Sequence, residues 1–201
     1  MFQPQHAFFK AVALIDAANC EDPNLDADTR KIWPKELLYS NRMTDMLQRF
    51  ASDADDAVNL AIRAHHIKRW KLPRTDYPTG RQGYIKWRTD LYKFHADTIA
   101  KLLMEVGYDE EFIERVKQAV GKKALKNNPN TQLLEDVANL VFIEHYILDF
   151  VLKHPDYDEE KWLNIISKTW NKMSYKAQQF ALSDNITIPE TLIPLIKKAI
   201  T

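Results

Sequence analysis

LEDVANLVFIEHYILDFVL, residues 134–152, is the most apolar stretch of the chain, and it decides the fold. Its apolar residues recur at helical spacing and Pro155 follows its end, so we predict a helix over about 130–153. Four acidic residues interrupt the stretch. These charges indicate a helix in the core of a protein rather than one that spans a membrane.

The rest of the chain has the same helical character. Only four glycines occur among the 201 residues, and alternating runs of β-branched residues with hairpin turns are missing. We therefore predict an all-α protein, a single-domain bundle of about eight helices that covers residues 1–201. The expected helices cover about 6–19, 34–50, 52–70, 83–106, 109–120, 130–153 and 158–173, with shorter helices after Ser174 and from Pro189.

The composition excludes several classes of partner. Lys plus Arg equals Asp plus Glu at 28 each, so the chain lacks the global basic field typical of nucleic-acid binders. Cys20 has no second cysteine to pair with, which is typical of a reducing compartment. Lys10 and Asp16 interrupt the apolar residues near the start, unlike a secretory signal. We expect a cytoplasmic protein with no membrane association.

Positive charge is nevertheless concentrated between residues 61 and 95. This stretch holds nine basic and two acidic residues, a net charge of +7 in a neutral chain. Arginine can grip phosphate or carboxylate with two hydrogen bonds, and the interleaved aromatic residues can stack on a ligand. The stretch predicts an anion-binding site, with a solvated charged surface as the alternative. The candidate anion-binding residues are Arg63, Arg74, Tyr77, Arg81, Tyr84 and Lys86.

Histidines lie on the two helices that flank this loop. On the first helix Arg63 and His66 share a face, and on the second Arg88 and His95 share a face. A tilted antiparallel crossing of the two helices would bring His66 and His95 together. A structural role is the alternative for each histidine, and it is the favoured interpretation for His65.

The central helix carries carboxylates among its apolar residues. Asp136 and Glu144 lie in line with Leu140 at intervals of four residues. An ionised carboxylate in apolar surroundings is costly unless it meets a cation or a metal. We expect either a structural ion pair with arginine or, together with His66 and His95, a site for a divalent transition metal.

The motifs of several enzyme classes are incomplete or missing. KMS at 172–174 resembles the KMSKS loop of class I aminoacyl-tRNA synthetases, but no HIGH motif or nucleotide-binding sheet accompanies it. The phosphate-cradling GxxxxGK(S/T), the dinucleotide-binding GxGxxG and the hydrolase GxSxG are also missing. We do not expect an aminoacyl-tRNA synthetase or a bound nucleotide cofactor.

A set of stretches follows in order along nearly the whole chain: IDAANCEDPN (15–24), ELLYSNRM (36–43), RAHHIKRWKLPRTDYPTGRQGYIKWR (63–88), LYKFHA (91–96), LEDVANLVFIEHY (134–146) and KTWNKMS (168–174). Together they resemble an uncharacterised family, domain of unknown function 4202. Some of its members carry a glutamyl-tRNA synthetase-like label. The resemblance itself supplies no function.

At a more remote level, the layout is similar to the HD superfamily of all-helical metal phosphohydrolases. That similarity implies an HD-domain-like fold and a metal held by a His, a His-Asp pair and a later Asp. The residues at the matching positions are His66, His95 and Asp136. The residue after His95 is Ala96 rather than Asp, so one ligand of the pattern is missing, and Asp97 or Glu144 would have to replace it.

Two functions follow from these patterns. The first is an HD-like metal-dependent phosphohydrolase for a nucleotide or other phosphorylated small molecule. Mn, Fe, Zn or Ni would activate a water, and Arg69, Arg88 and Glu144 would have catalytic roles. The second is a metal-free binding module for a phosphorylated ligand or RNA, and the zero net charge disfavours RNA. A third, an interaction protein that meets a basic partner through the acidic remainder of the chain, has no specific motif behind it.

Overall fold

The computed structural model of the chain describes residues 4–29 and 31–200, and it is predominantly α-helical, so the all-α prediction is confirmed. Ten α-helices form within these residues, where about eight were expected. The first elements are α1 (Pro4–Cys20), an antiparallel hairpin of β1 (Leu25–Ala27) and β2 (Ile32–Pro34), α2 (Lys35–Phe50) and α3 (Asp56–Arg63). They are followed by α4 (Gly80–Val106), α5 (Glu110–Val120), α6 (Pro129–Val141) and α7 (Ile147–Leu152). The last helices are α8 (Glu159–Trp170), α9 (Tyr175–Ala181) and α10 (Ile193–Ile200).

Side-chain caps and one glycine determine several helix ends. Asp55 accepts a hydrogen bond from a backbone N–H in the first turn of α3 at 3.0 Å. Asp109 and Asp158 cap α5 and α8 in the same way. Gly107 takes a left-handed φ of 96°, which lets the chain turn out of α4. The helix predicted from about residue 52 therefore begins later, at Asp56, because Asp55 provides the cap.

The core is centred on α3 and α6. Leu60 and Ile62 of α3, with Leu134 and Leu140 of α6, are fully buried. α3 packs on α1, α2 and α5, and α6 packs on α2, α3, α5 and α9. The beginning of the apolar stretch therefore lies at the centre of the molecule, as predicted.

The C-terminal helices pack around a smaller apolar cluster. Ile147 of α7, Ile166 of α8, and Leu192 and Ile196 at α10 form it. α10 packs mainly against α8. Among the residues that the structure describes, we find no helix with the length and apolar character needed to cross a membrane.

α3 ends earlier than the sequence predicted. The predicted helix continued to Trp70, but α3 ends at Arg63, and a single 3-10 turn forms at Arg69–Lys71. Ser40 Oγ of α2 donates to the carbonyl of Arg63 at 2.8 Å, which satisfies an acceptor at the end of the helix. Lys68 has a left-handed φ of 52°, which an α-helix does not allow. His66 therefore lies in a turn, and the helical face it was expected to share with Arg63 does not exist.

The predicted helix over 130–153 is one helical run with an irregular centre. A π-helical turn, Phe142–Tyr146, separates α6 from α7. The wider turn breaks the four-residue spacing that was expected to align Glu144 with Asp136. The hairpin of β1 and β2 was not predicted, because strands of three residues are too short to show an alternating pattern.

Candidate anion-binding site

Residues from α2, α4, α6 and the segments between helices line a cavity of about 180 Å³. This volume is small beside the roughly 300–1,000 Å³ of pockets that hold drug-sized ligands. The cavity therefore suits a small ligand or one charged group of a larger ligand. Its lining comprises Tyr39, His65, His66, Arg69, Arg88, Leu91, Tyr92, His95, Lys122, Glu135, Ala138, Asn139 and Lys172.

Asn19, which is fully buried in α1, holds the turn that carries the paired histidines. Its Nδ2 donates to Ser40 Oγ of α2 at 2.9 Å, and its Oδ1 accepts from the backbone N–H of Lys68 at 3.1 Å. The amide thus ties the turn to two helices at once and supports the left-handed backbone at Lys68. Asn19 therefore positions the site, although no residue of its stretch, IDAANCEDPN, lines the cavity.

Three stacked rings form one wall of the cavity. Tyr39 stacks on His66 at 4.2 Å between ring centroids, and His66 stacks on His65 at 4.4 Å. The Tyr39 hydroxyl is hydrogen-bonded to His65 Nδ1 at 3.1 Å. Burial raises the pKa of Tyr39 well above its usual value and lowers the pKa of His65 well below its own. The wall is therefore uncharged at neutral pH.

Both ring nitrogens of His66 contact charged side chains. Arg69 Nη1 lies 3.4 Å from Nε2, and because a guanidinium can only donate, Nε2 is the acceptor. Nδ1 therefore carries the proton, and it lies 3.2 Å from Oε2 of Glu36. Burial lowers the pKa of His66 well below its usual value and raises the pKa of Glu36 to about 7. His66 is neutral, and neither of its nitrogens is left for a metal.

His95 is held at one nitrogen and free at the other. Its Nδ1 lies 2.8 Å from the carbonyl oxygen of Ile67, which can only accept, so Nδ1 carries the proton. Burial lowers the pKa of His95 to about 3, and the charges of Arg69 and Arg88 act in the same direction. The ring is neutral, so Nε2 presents a lone pair. It is buried and has no hydrogen-bond partner among the described residues.

The cavity lining has an excess of positive charge. Its charged residues are Arg69, Arg88, Lys122, Lys172 and Glu135, a net charge of +3. Lys122 contacts Glu135, and Lys172 lies 3.8 Å from it. Burial opposes the charge of Glu135, but Lys122, Lys172 and Arg88 together outweigh this effect, and the pKa of Glu135 is lowered. Arg88 instead donates to the Tyr92 hydroxyl at 3.0 Å, and within the described part of the chain no carboxylate forms an ion pair with it.

The three predicted metal ligands do not converge. The rings of His66 and His95 lie 6.0 Å apart, but Asp136 does not line the cavity. Its Oδ1 accepts from the backbone N–H of Ser174 at 2.7 Å and from Gln132 at 2.8 Å, and its Oδ2 accepts from Ser174 Oγ at 2.5 Å. No three His, Cys, Asp or Glu side chains among residues 4–29 and 31–200 are placed to hold a metal ion. The predicted metal site does not fit this arrangement.

Of the predicted catalytic residues, Arg69 and Arg88 line the cavity and Glu144 does not. Glu144 Oε2 accepts from Arg49 Nη2 at 2.5 Å, and Oε1 accepts from the backbone N–H of Thr187 at 2.9 Å. This is the structural ion pair that was the alternative for a carboxylate on the central helix. Its partner is an arginine of α2 rather than one from the basic stretch.

Arg63, predicted to bind an anion, is bonded inside the protein. Its Nε and Nη2 donate to the two oxygens of Asp16 at 2.7 Å each, and its Nη1 donates to Thr44 Oγ1 at 3.0 Å. This placement follows from the end of α3, which directs Arg63 toward α1 and leaves His66 in the next turn. Arg63 joins α1, α2 and α3 and does not line the cavity.

The other predicted anion-binding residues lie on the loop and the outer part of α4, outside the cavity lining. Arg74 donates to the carbonyl of Tyr77 at 2.8 Å, and the Tyr77 hydroxyl donates to Asp90 at 3.1 Å. Lys86 also donates to Asp90, at 2.8 Å. These bonds fold the loop back onto α4. The remaining two, Arg81 and Tyr84, are exposed.

Several lining residues were not assigned to a site from the sequence. They are Tyr39, His65, Tyr92, Lys122, Glu135, Asn139 and Lys172. Tyr39 and Lys172 lie within ELLYSNRM and KTWNKMS, so the stretches that carry the family resemblance did contain a signal. Lys122 had none, because it lies in a polar connector and its left-handed φ of 53° cannot be inferred from a lysine.

The fold and the cavity define a predominantly helical protein with a partly buried cationic site. Over residues 9–196 the chain matches the family model described as domain of unknown function (DUF4202), and it belongs to that family, as its motifs predicted. No curated protein and no solved structure matches the chain. The remote similarity to the HD superfamily stays a prediction.

Proposed function

We propose that the chain binds a phosphorylated small molecule in the cationic cavity and needs no metal to do so. The observation that carries the proposal is Arg88, a half-buried guanidinium that lines the cavity and bonds to a tyrosine hydroxyl. A guanidinium held away from bulk water is stabilised most by an anion that accepts two hydrogen bonds from it. Phosphate has that geometry.

The charges around Arg88 support an anionic ligand. Arg69, Lys122 and Lys172 line the same cavity, and Glu135 offsets only one of these cations. Glu36 lies behind Arg69, and its pKa of about 7 leaves it partly protonated near neutral pH. A doubly negative group would therefore enter a net positive field in partly buried surroundings, where electrostatic attraction exceeds its strength in water.

The shape of the site favours a small molecule over RNA. A cavity of about 180 Å³ admits a single phosphate group with little of what is attached to it. The formal net charge of the chain is zero, and Arg74 of the loop and Lys86 of α4 are bonded within the protein. Both cations are therefore already partnered within the protein, which disfavours the recognition of an extended RNA strand.

A metal-dependent phosphohydrolase stays a prediction rather than the proposed function. The predicted metal site needs Asp136 and His66 as ligands. Asp136 is hydrogen-bonded to Ser174, and both ring nitrogens of His66 contact other side chains. The proposed function is therefore binding, the alternative to hydrolysis. We place this function in the cytoplasm, because Cys20 is an exposed free thiol.

Isothermal titration calorimetry with inorganic phosphate and a panel of phosphorylated metabolites tests the proposal. Losing charge-assisted hydrogen bonds to a ligand costs about 1.5–3 kcal/mol, so Arg88→Ala should weaken phosphate-ligand binding by roughly 10-fold to 100-fold. Arg81→Ala is the matched control, because it removes an exposed arginine from the same helix. The control should bind as the wild type does.

Two results would overturn the proposal. One is a wild-type protein that binds neither inorganic phosphate nor any member of the panel. The other is an Arg88→Ala variant that keeps both its helical circular-dichroism spectrum and the wild-type affinity.

A further inference from the structure

Two buried polar atoms of the cavity lining lack partners within the described part of the chain. They are Nε2 of His95 and Nδ2 of Asn139. A buried polar group without a hydrogen bond is costly, and such groups are rare in folded proteins. His95 is only 2% exposed, so its free nitrogen faces the interior of the site rather than bulk solvent.

The free nitrogen of His95 is a hydrogen-bond acceptor. Ile67 provides a carbonyl oxygen at 2.8 Å from Nδ1, and this contact keeps the single proton of the neutral ring on Nδ1. Nε2 therefore offers a lone pair and no proton. The cationic residues around it are donors suited to anionic oxygens, so the cavity combines several donors with one fixed acceptor.

We infer that the ligand presents a hydrogen-bond donor beside its anionic oxygens, and that His95 Nε2 accepts from this donor. The inference rests on the proposed function and narrows its ligand class. The donor has two chemical sources: the P–OH of hydrogen phosphate, or a hydroxyl on the organic part of a phosphate ester. Sulfate has neither and would set an oxygen lone pair against the lone pair of Nε2.

Protonation of His95 does not remove this selectivity at alkaline pH. Burial brings the pKa of His95 to about 3, so protonating it at pH 8 costs a factor of about 10⁵ in the binding constant. A fully deprotonated oxyanion would therefore bind against an unpaired acceptor. A site built to bond a ligand hydroxyl discriminates strongly against an analogue that lacks it.

The test measures the binding of four probes to the wild-type protein at pH 8 and constant ionic strength. Inorganic phosphate carries a P–OH and glycerol 3-phosphate carries alcohol hydroxyls. Sulfate and methyl phosphate have no donor, since a phosphate monoester is a dianion well above its second pKa of about 6. We expect the better of the two donor-bearing probes to bind at least about tenfold more tightly than sulfate and methyl phosphate. Which of the two binds best identifies the source of the donor.

His95→Gln provides an independent readout. A glutamine amide can turn either its oxygen or its N–H₂ toward the ligand, so it serves a donor or an acceptor equally. The variant should lose the preference for the better donor-bearing probe over sulfate, while its affinity for that probe stays within about tenfold of wild type. His154→Gln, a histidine outside the cavity, should keep the wild-type preference. A His95→Gln variant that fails to fold leaves the comparison of probes in the wild type as the deciding measurement.

The outcomes separate the inference from the proposed function. Equal binding of all four probes overturns the inference and leaves the proposed function standing. Binding of none of them, and of no phosphorylated metabolite, overturns both. A His95→Gln variant that folds and still prefers the better donor-bearing probe over sulfate shows that the preference arises elsewhere and overturns the role of His95.

Discussion

Replacing Glu36 with glutamine should change how the stability of the protein depends on pH. Burial raises the pKa of Glu36 to about 7 in the folded chain, against an ordinary value of 4.5. Between these values the folded state holds a proton that the unfolded state releases, so the wild type loses stability as pH rises from 4.5 through 7. Glutamine has nearly the same shape and can accept from His66 Nδ1, but it does not ionise. The loss should therefore be absent from Glu36→Gln.

The magnitude follows from the pKa difference. The pKa of Glu36 is about 2.5 above its ordinary value, and each pKa unit corresponds to about 1.36 kcal/mol. Ionising Glu36 in the folded state therefore costs about 3 kcal/mol. Between pH 5 and pH 8, most of this cost should appear. The free energy of unfolding of Glu36→Gln, relative to wild type, should rise by roughly 2–3 kcal/mol over that range. Comparing two pH values removes any constant effect of the weaker contact with Arg69.

Urea denaturation followed by circular dichroism at pH 5, 6, 7 and 8 measures this difference. Glu111→Gln removes a carboxylate from the exposed surface of α5 and serves as the matched control. Its stability relative to wild type should vary little with pH. If the stability of Glu36→Gln relative to wild type is the same at pH 5 and pH 8, burial does not raise the pKa of Glu36, and Glu36 is not partly protonated beside the cavity at neutral pH.

Two further predictions test the placement of residues outside the cavity. Asp136→Ala should lower the free energy of unfolding by about 1–3 kcal/mol, because it removes the acceptor of three hydrogen bonds. Urea denaturation measures this loss, and a wild-type stability together with a loss of bound metal would instead support a ligand role for Asp136. Arg63→Lys should also cost about 1–3 kcal/mol, because lysine cannot form the paired bonds to Asp16. Its affinity for phosphate in calorimetry should stay at the wild-type value, and a selective loss of affinity would place Arg63 in the site after all.

The helical character of the chain could be predicted because it depends on local signals. Gly107 ends α4 and Ser174 caps α9, in agreement with the helices predicted to end at about residue 106 and to begin after Ser174. The end of α3 could not be predicted, because Ser40 and Asn19 determine it from other helices. Apolar spacing continues through His66, so the pattern alone favours a longer helix than tertiary contacts allow.

The sequence predicted some residues of the candidate site and missed others. His66, Arg69, Arg88 and His95 were assigned to one region, and the structure brings all four to one cavity. The carboxylate was assigned to Asp136, whereas its neighbour Glu135 lines the cavity. Both side chains are buried, so burial does not distinguish them, and the choice depends on the rotation of α6 against its neighbours. A helix that is buried on most of its circumference has no single apolar face, so the sequence pattern does not determine how the helix is rotated.

At two places in the site, one residue lines the cavity and the next residue in the sequence bonds to a neighbouring element. Successive residues of a helix point about 100° apart, so the neighbour of a lining residue faces a different element. Tyr39 lines the cavity, while Ser40 beside it bonds to Asn19 and to the end of α3. Glu135 lines it, while Asp136 bonds to Ser174 at the start of α9.

The same bond between Asp136 and Ser174 fixes the segment that carries Lys172. Lys172 lines the cavity, and its Nζ lies 3.8 Å from Oε1 of Glu135. The KMS stretch therefore contributes to this site through a helix cap rather than through the nucleotide chemistry of a synthetase loop. In each of these pairs of adjacent residues, a substitution at the residue that bonds to another element, Ser40 or Asp136, should displace the neighbour that lines the cavity. Loss of ligand affinity is then not enough to assign a residue to the cavity, and Arg88 and His95, whose side chains line it, are the residues whose substitution reports on the ligand directly.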